Sequence, residues 1–194
     1  LFNHYYDKDL DKAMPIRNLV AKLDKGEVET MTEKSWSDMT EEELKACCEF
    51  AKRYGSDTEH VALTNTGRSA LTIALKAVLP RDSKVVINGM TCYAVVQAVK
   101  AAGLVPIFAD INEETLHYDK AELAKTLKKY PDIKAVIIQN TLGVEADIEG
   151  IEKFCKHRKL LIIEDLAHCA GLKYSDGREA GTVGVATALS FGKG

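Results

Sequence analysis

From His60 onward, short apolar runs alternate with longer stretches whose apolar residues recur three and four positions apart. Short runs rich in Val and Ile predict buried strands, and the three-to-four spacing predicts amphipathic helices. The runs predict strands at 60–64, 84–88, 105–110, 134–140, 160–165 and 185–191. The stretches between them predict helices at 67–79, 93–103, 120–130 and 148–159.

Strict alternation of strands and helices with short connections predicts an α/β fold. We expect a three-layer α-β-α arrangement with a mostly parallel sheet, formed by residues 60–194. Ligands bind such sheets beyond the carboxyl ends of the strands, so the residues just after each strand are the candidates for chemistry.

The first part of the chain, residues 1–59, has a weaker pattern and is expected to be a helical N-terminal segment. Pro15 can open a short helix, and the polar stretch 28–40 predicts a loop. Thr40 and Glu43 have the spacing of a capping box, which predicts the start of a further helix.

Composition excludes several classes of protein. The 194 residues include 26 Lys plus Arg against 29 Asp plus Glu, and this balance gives no indication of nucleic-acid binding. The longest apolar runs are too short to cross a bilayer. Five cysteines without a CxxC pair predict reduced thiols, a cytoplasmic protein and no metal site.

The most informative strand end is "LLIIEDLAH", in which Glu164 and Asp165 end a wholly apolar run and His168 follows. A buried carboxylate needs a compensating partner. Asp165 can hold magnesium, bind a ribose, or pair with a protonated pyridine nitrogen. It can also simply cap backbone amides, with His168 an ordinary half-buried histidine.

Two other segments can meet a phosphate. "TNTGRSAL" places Gly67, Arg68 and Ser69 at a helix start, where unpaired N–H groups and the helix dipole favour an anion. An ordinary strand-to-helix turn with a Ser or Thr cap explains the same residues. In "ALSFGKG", Ser190 can contact a phosphate, and Lys193 is either a cofactor lysine or a solvated loop residue.

Cys92 and Asn140 also follow predicted strands. Cys92, or its neighbour Tyr93, can cover a flat ring, and Asn140 can donate a hydrogen bond into the same cleft. Simple turns account equally well for both segments, Asn140 through an Asx-type turn.

Four segments in order resemble the DegT/StrS-type aminotransferases, which are fold-type-I enzymes that use pyridoxal 5'-phosphate (PLP). "TNTGRSAL" resembles the phosphate-binding turn of the family, and "TCYAVVQAVKAAGLVPIFADI" its TxxA…AGxxPxFxDI stretch. "IIEDLAHCAG" is similar to IEDxAxxxG, and "GTVGVATALSFGKG" to GxxGDxxxxSFxxxK, with Val185 where the family has Asp. The resemblance runs from about His60 to the last residue.

The resemblance implies roles for eight positions. Gly67, Arg68, Ser69 and Ser190 meet the cofactor phosphate. Asp165 pairs with the pyridine nitrogen, and His168 lies beside the ring hydroxyl. The remaining two candidates are Cys92, where a side chain stacks on the ring, and Asn140, near the ring.

The implied activity is transfer of an amino group from an amino acid to a keto-sugar, commonly nucleotide-linked, by a homodimer. The family lysine that bonds to PLP lies five positions after the serine matched by Ser190, which is one residue beyond Gly194. We therefore expect a fragment that is inactive by itself. The alternatives are a PLP-dependent sugar dehydratase and a non-catalytic domain kept for binding or regulation.

Overall fold

The computed structural model describes residues 40–56, 60–64 and 66–190. The predictions for Pro15, for most of the loop at 28–40 and for Lys193 lie outside these residues. The described helices are α1 (Glu41–Arg53), α2 (Gly67–Val78), α3 (Tyr93–Ala101), α4 (Lys120–Lys129) and α5 (Ile148–Arg158). The described strands are β1 (Lys84–Asn88), β2 (Val105–Ala109), β3 (Ile133–Ile138), β4 (Leu161–Asp165) and β5 (Ala186–Ala188).

Within the described residues, the five strands form one sheet in the order β2-β1-β3-β4-β5. Every neighbouring pair is parallel. Helices α3, α4 and α5 connect β1 to β4, whereas a non-helical segment, 166–185, connects β4 to β5. Strand β2 lies on one side of β1, and β3 lies on the other. The carboxyl ends of β1 and β3 are therefore the topological switch point, where such sheets bind ligands.

Alternate residues of each strand point to opposite faces of the sheet. One face, called here the α2 face, packs against α2 and α3. The other, called here the α5 face, packs against α4 and α5. The core on the α2 face combines strand and helix residues: Leu71, Leu75, Val85, Ile87, Val95, Val99, Ala135, Ile137 and Ile163. The core on the α5 face does the same with Val86, Leu123, Leu127, Val136, Ile138, Ile151, Phe154 and Ile162.

The three layers and the parallel sheet confirm the predicted fold class. The four helices predicted after residue 66 are present, and each ends within two residues of its predicted end. The predicted strand at 60–64 is wrong, because the structure has no strand there. Val61 instead packs against Cys47 and Ala51 of α1, and a short apolar run cannot by itself distinguish such packing from strand pairing.

No disulfide joins any of the five cysteines, all of which lie in the described part of the chain. A search of the described residues for a helix both long and apolar enough to cross a membrane finds none.

The capping box predicted for α1 is confirmed. The Thr40 hydroxyl accepts a hydrogen bond from the Glu43 amide at 3.2 Å, and the Glu43 carboxylate accepts one from the Thr40 amide at 2.8 Å. The two bonds satisfy amides that the helix itself cannot satisfy.

We expect Thr40→Ala to lower the free energy of unfolding by about 1 kcal/mol, because it removes the hydroxyl that caps α1. Thr40→Ser keeps the hydroxyl and is the matched control, expected to remain within about 0.5 kcal/mol of the original chain. Urea unfolding of both variants measures the difference. Equal stability of the Ala and Ser variants would contradict the contribution of the cap.

Candidate active site

The two carboxylates at the end of β4 point to opposite faces of the sheet. Glu164 follows Ile162 by two residues and therefore shares the α5 face, while Asp165 shares the α2 face with Ile163. Glu164 is fully buried and Asp165 is 8% exposed. Two adjacent buried carboxylates thus have separate environments.

Glu164 is held entirely by the protein. Its Oε1 accepts hydrogen bonds from the Gly181 amide at 2.7 Å and the Tyr174 hydroxyl at 3.0 Å. Its Oε2 accepts from the amides of Val183 at 2.8 Å and Gly184 at 2.6 Å. Burial raises the pKa of Glu164, and these four donors oppose that rise. The geometry gives Glu164 a structural role.

Asp165 has fewer partners. Its Oδ1 accepts a hydrogen bond from the Ala167 amide at 3.1 Å, and its Oδ2 accepts one from the Gln139 side chain at 3.4 Å. Burial raises the pKa of Asp165, and the Ala167 amide, the nearby His168 and Gln139 oppose the rise. A cation placed at Oδ2 would stabilise the buried negative charge.

Gln139 and Thr91 are site residues that the sequence reasoning missed. Gln139 follows β3, is 6% exposed, and accepts a 2.7 Å hydrogen bond from the Thr91 hydroxyl through Oε1 while its Nε2 donates to Asp165. The signal for Gln139 was its spacing from Ile137, which assigns both residues to the α2 face. Thr91 is the threonine of the TxxA stretch, but the resemblance gave it no role.

The backbone of Gln139 is held as well. Its amide donates to Nε2 of His117 at 3.3 Å, and its carbonyl accepts from the Cys169 thiol at 3.4 Å. His117 is fully buried, and its Nδ1 lies 3.0 Å from the Tyr118 carbonyl. Because Nε2 accepts, Nδ1 carries the proton of the neutral ring and donates to that carbonyl.

Gly67 and Ser190 meet closely, although 123 positions separate them in the sequence. A Cβ atom on Gly67 would lie 2.7 Å from the Ser190 Cβ and 2.8 Å from its Oγ. Only glycine permits this approach of the α2 start to the segment after β5. The result is a cradle formed by a helix N-terminus and a hydroxyl, which suits an anion.

The start of α2 is capped by Thr66. Its Oγ1 accepts from the Ser69 amide at 3.1 Å and lies 2.9 Å from the Ser69 hydroxyl. Gly67 and Arg68 occupy the first two helical positions, where N–H groups have no acceptor within the helix. The Arg68 guanidinium donates to the Gln97 side chain at 2.6 Å, so the backbone amide of Arg68 is its contribution to the cradle.

Asn140 lies in a different network from Asp165. Its Nδ2 donates to the Tyr174 hydroxyl at 3.0 Å, and its Oδ1 accepts from the Ala146 amide at 2.9 Å. Tyr174 in turn binds Glu164, so this network belongs to the α5 face. Of the two residues after β3, the structure therefore brings Gln139 to Asp165, while the side chain of Asn140 is committed elsewhere.

His168 and Cys92 are both exposed near these strand ends. The Leu142 amide donates to Nδ1 of His168 at 3.3 Å, which orients the imidazole and makes Nε2 the donor atom of its neutral form. Cys92 immediately precedes α3 and makes no side-chain capping bond to that helix. Both positions remain predicted cofactor contacts.

Together these residues make an anion cradle and a buried carboxylate along one edge of a parallel sheet. Such a pair suits a ligand with a phosphate at one end and a protonated ring nitrogen at the other. The parallel sheet between two helical layers is the fold class of the fold-type-I PLP-dependent transferases.

The chain belongs to the DegT/DnrJ/EryC1/StrS aminotransferase family, whose sequence profile matches residues 19–193. It is 31% identical over 144 residues to a dTDP-4-dehydro-2,3,6-trideoxy-D-glucose 4-aminotransferase of Saccharopolyspora spinosa, covering 74% of this chain and 37% of that protein. It is also 31% identical over 175 residues to the spore coat polysaccharide biosynthesis protein SpsC of Bacillus subtilis, covering 89% and 43%.

Solved structures agree with the fold. The protein DesV of S. venezuelae, solved in complex with a ketimine intermediate, has a TM-score of 0.65 and 25% identity, covering 94% of this chain and 46% of that one. A 3-amino-5-hydroxybenzoic acid synthase has a TM-score of 0.67 and 23% identity, covering 99% and 46%, and shows the fold alone. The chain spans less than half the length of these relatives.

We expect the buried His117 to make stability depend on pH. Burial lowers the pKa of His117 to about 4 in the folded chain, against about 6.5 when unfolded. Its contribution to the free energy of unfolding is therefore complete above pH 6.5 and is lost as the pH falls from 6.5 through 4. From this group alone, stability should fall by about 2 kcal/mol between pH 7 and pH 5. His117→Asn removes the titration, and urea unfolding at both pH values should show a correspondingly smaller fall.

An equal fall in the variant would contradict this assignment. An NMR titration of the original chain tests the same point without a substitution. An imidazole midpoint near 6.5 for His117 would show that the ring is not held neutral by burial.

Proposed function

We propose that this chain forms the PLP-binding part of a sugar aminotransferase that acts on an amino-acid donor and a nucleotide-linked keto-sugar acceptor. The observation that carries the proposal is the Asp165 carboxylate. It is buried at the carboxyl end of β4 and held by neutral N–H donors, and it shares the α2 face of the sheet with the helix whose N-terminus meets Ser190.

The residues present fit the cofactor. Asp165 would hold a proton on the ring nitrogen, because a buried carboxylate is stabilised by a cation beside it. The amides of Gly67 and Arg68, with the Ser190 hydroxyl, would bind the phosphate. Adding a Cβ to Gly67 would close this cradle, since it would lie within 2.8 Å of the Ser190 Oγ.

PLP, when bound, would supply the electron-withdrawing ring that amino-group transfer requires. The chain contributes the protonation state of that ring, since Asp165 favours the charged form of the ring nitrogen. His168 would donate through Nε2 to the ring hydroxyl, and Cys92 would contact the ring face. The Ser69 amide serves the Thr66 cap, so the Ser69 contribution to the phosphate site is its hydroxyl.

The names of the relatives support the substrate class. Besides the dTDP-sugar aminotransferase, they include a GDP-perosamine synthase of Escherichia coli O157:H7, 31% identical over 134 residues and covering 69% of this chain and 36% of that protein. We assign the protein to the cytoplasm, where its thiols stay reduced and nucleotide-linked sugars are made.

We expect the chain to bind pyridoxamine 5'-phosphate (PMP), which forms no covalent bond to protein, and Asp165→Asn to weaken that binding at least about tenfold. An amide has no charge with which to stabilise the protonated ring nitrogen, and a charged hydrogen bond contributes more than about 1.4 kcal/mol. Isothermal titration calorimetry at pH 7.5 measures both affinities.

Asp176→Asn is the matched control, because Asp176 is exposed and its carboxylate pairs with Arg178. It should leave PMP affinity within about twofold. Pyridoxamine without its phosphate should bind far more weakly, if the cradle at Gly67 recognises the phosphate. Unchanged PMP binding by Asp165→Asn would overturn the proposed role of Asp165.

We also propose that the active protein is a homodimer. Large apolar side chains are exposed around the candidate site: Met90 is 42% exposed, Tyr93 67% and Leu142 67%. A second copy of the chain would cover such side chains. Sedimentation equilibrium should show a dimer, with Tyr93→Ser shifting the equilibrium toward monomer. A monomer at every concentration up to the highest soluble one would contradict the proposal for this chain.

A further inference from the structure

We propose that Gln139 is a positioning residue for Asp165 and that Thr91 in turn fixes the orientation of Gln139. The amide of Gln139 would keep the carboxylate of Asp165 ionised and correctly aimed at the ring nitrogen of the cofactor. The aim toward that nitrogen depends on the proposed function. The contact between the two side chains does not.

The hydrogen bonds define which way the amide points. Nε2 of Gln139 faces Oδ2 of Asp165 at 3.4 Å, and Oε1 lies 2.7 Å from the Thr91 hydroxyl. A rotated amide would direct its oxygen at a carboxylate oxygen, which would be repulsive. The Thr91 hydroxyl therefore donates to Oε1, and this bond selects the orientation in which Gln139 donates to Asp165.

The position of Gln139 is fixed on every side. Its backbone N–H donates to His117, and its backbone carbonyl accepts from Cys169. Its side chain is buried between Thr91 and Asp165. A side chain that orients another group has to be held itself, because loose support lets the functional group turn away. Gln139 meets that requirement.

The chain of contacts also crosses the switch point of the sheet. Thr91 follows β1, Gln139 follows β3, and Asp165 ends β4. The relay from Thr91 to Asp165 therefore links three strand ends along the edge where such sheets bind ligands. These two hydrogen bonds restrict the rotation of the Asp165 carboxylate before a ligand binds.

Gln139 supplies Asp165 with something that the backbone does not. Oδ1 of Asp165 accepts a hydrogen bond from the Ala167 amide. With that hydrogen bond alone, the plane of the carboxylate would still be free to rotate. The donor at Oδ2 adds a second fixed point and so sets the plane of the carboxylate. Because the Gln139 amide is uncharged, it leaves the negative charge of Asp165 available to a protonated ring nitrogen.

Two variants test the relay in the full chain. Thr91→Val removes the hydroxyl at nearly constant shape, and Gln139→Met removes the amide at similar length. Both should weaken PMP binding about tenfold, because a donor to a charged group is lost or misdirected. Thr91→Ser keeps the hydroxyl and should restore affinity to within about twofold of the original chain.

A second ligand separates positioning from general damage. The analogue of PMP in which C–H replaces the ring nitrogen cannot use Asp165, so the Val and Met variants should bind it as the original chain does. Unchanged PMP affinity in both variants would overturn the proposal. An equal loss for PMP and the analogue would also overturn it, because it would show a structural role only.

An NMR titration of the Asp165 carboxyl group tests the contact without ligand. Gln139→Met should raise the pKa of Asp165, because it removes a donor that favours the ionised form, while His168 remains in place. No rise would overturn the positioning role. If the original chain fails to bind PMP but this pKa rises, the proposed function fails while the contact between Gln139 and Asp165 stands.

Discussion

The structure depends on how the two buried carboxylates at the end of β4, Glu164 and Asp165, are compensated. Glu164, on the α5 face, accepts hydrogen bonds from three backbone amides and one hydroxyl, which together compensate a charge that is costly to bury. Those amides belong to the segment just before β5. Gly184 is required there, since a Cβ atom on it would lie 2.8 Å from the Ile162 carbonyl. Fixing this segment sets β5 beside β4 and so brings Ser190 to Gly67.

The compensation of Glu164 is nearly complete, and that of Asp165 is not. Asp165 has two N–H donors, of which the one at Oδ2 is 3.4 Å away. Replacing Glu164 would disturb the loop, whereas replacing Asp165 would leave the fold with its main contacts. Because side chains alternate along the strand, one carboxylate is fully held by the protein and the next has an incompletely compensated charge. The two adjacent carboxylates have different partners because they face different layers.

Much of this architecture could be predicted from the sequence, because burial on both faces produces long apolar runs and crossovers produce alternating helices. The strand end at Asp165 was also recognisable. The segment at 60–64 was not, since a short apolar run that packs on a helix, as Val61 does on α1, has the same pattern as a short strand. The close contact between Gly67 and Ser190 is visible only in the three-dimensional arrangement, since the resemblance implied only that both residues meet the phosphate.

The two amide side chains after β3 make different contacts, and the sequence did not distinguish them. Asn140 matched the family position near the ring, but it has φ 46°, and its side chain joins Tyr174 and Glu164 on the α5 face. Gln139, one residue earlier, continues the alternation of β3 and reaches Asp165 on the α2 face. The motif indicates which strand end to consider, whereas the face on which each residue lies depends on where the strand ends. At β3 that boundary, after Ile138, decides which amide supports the carboxylate.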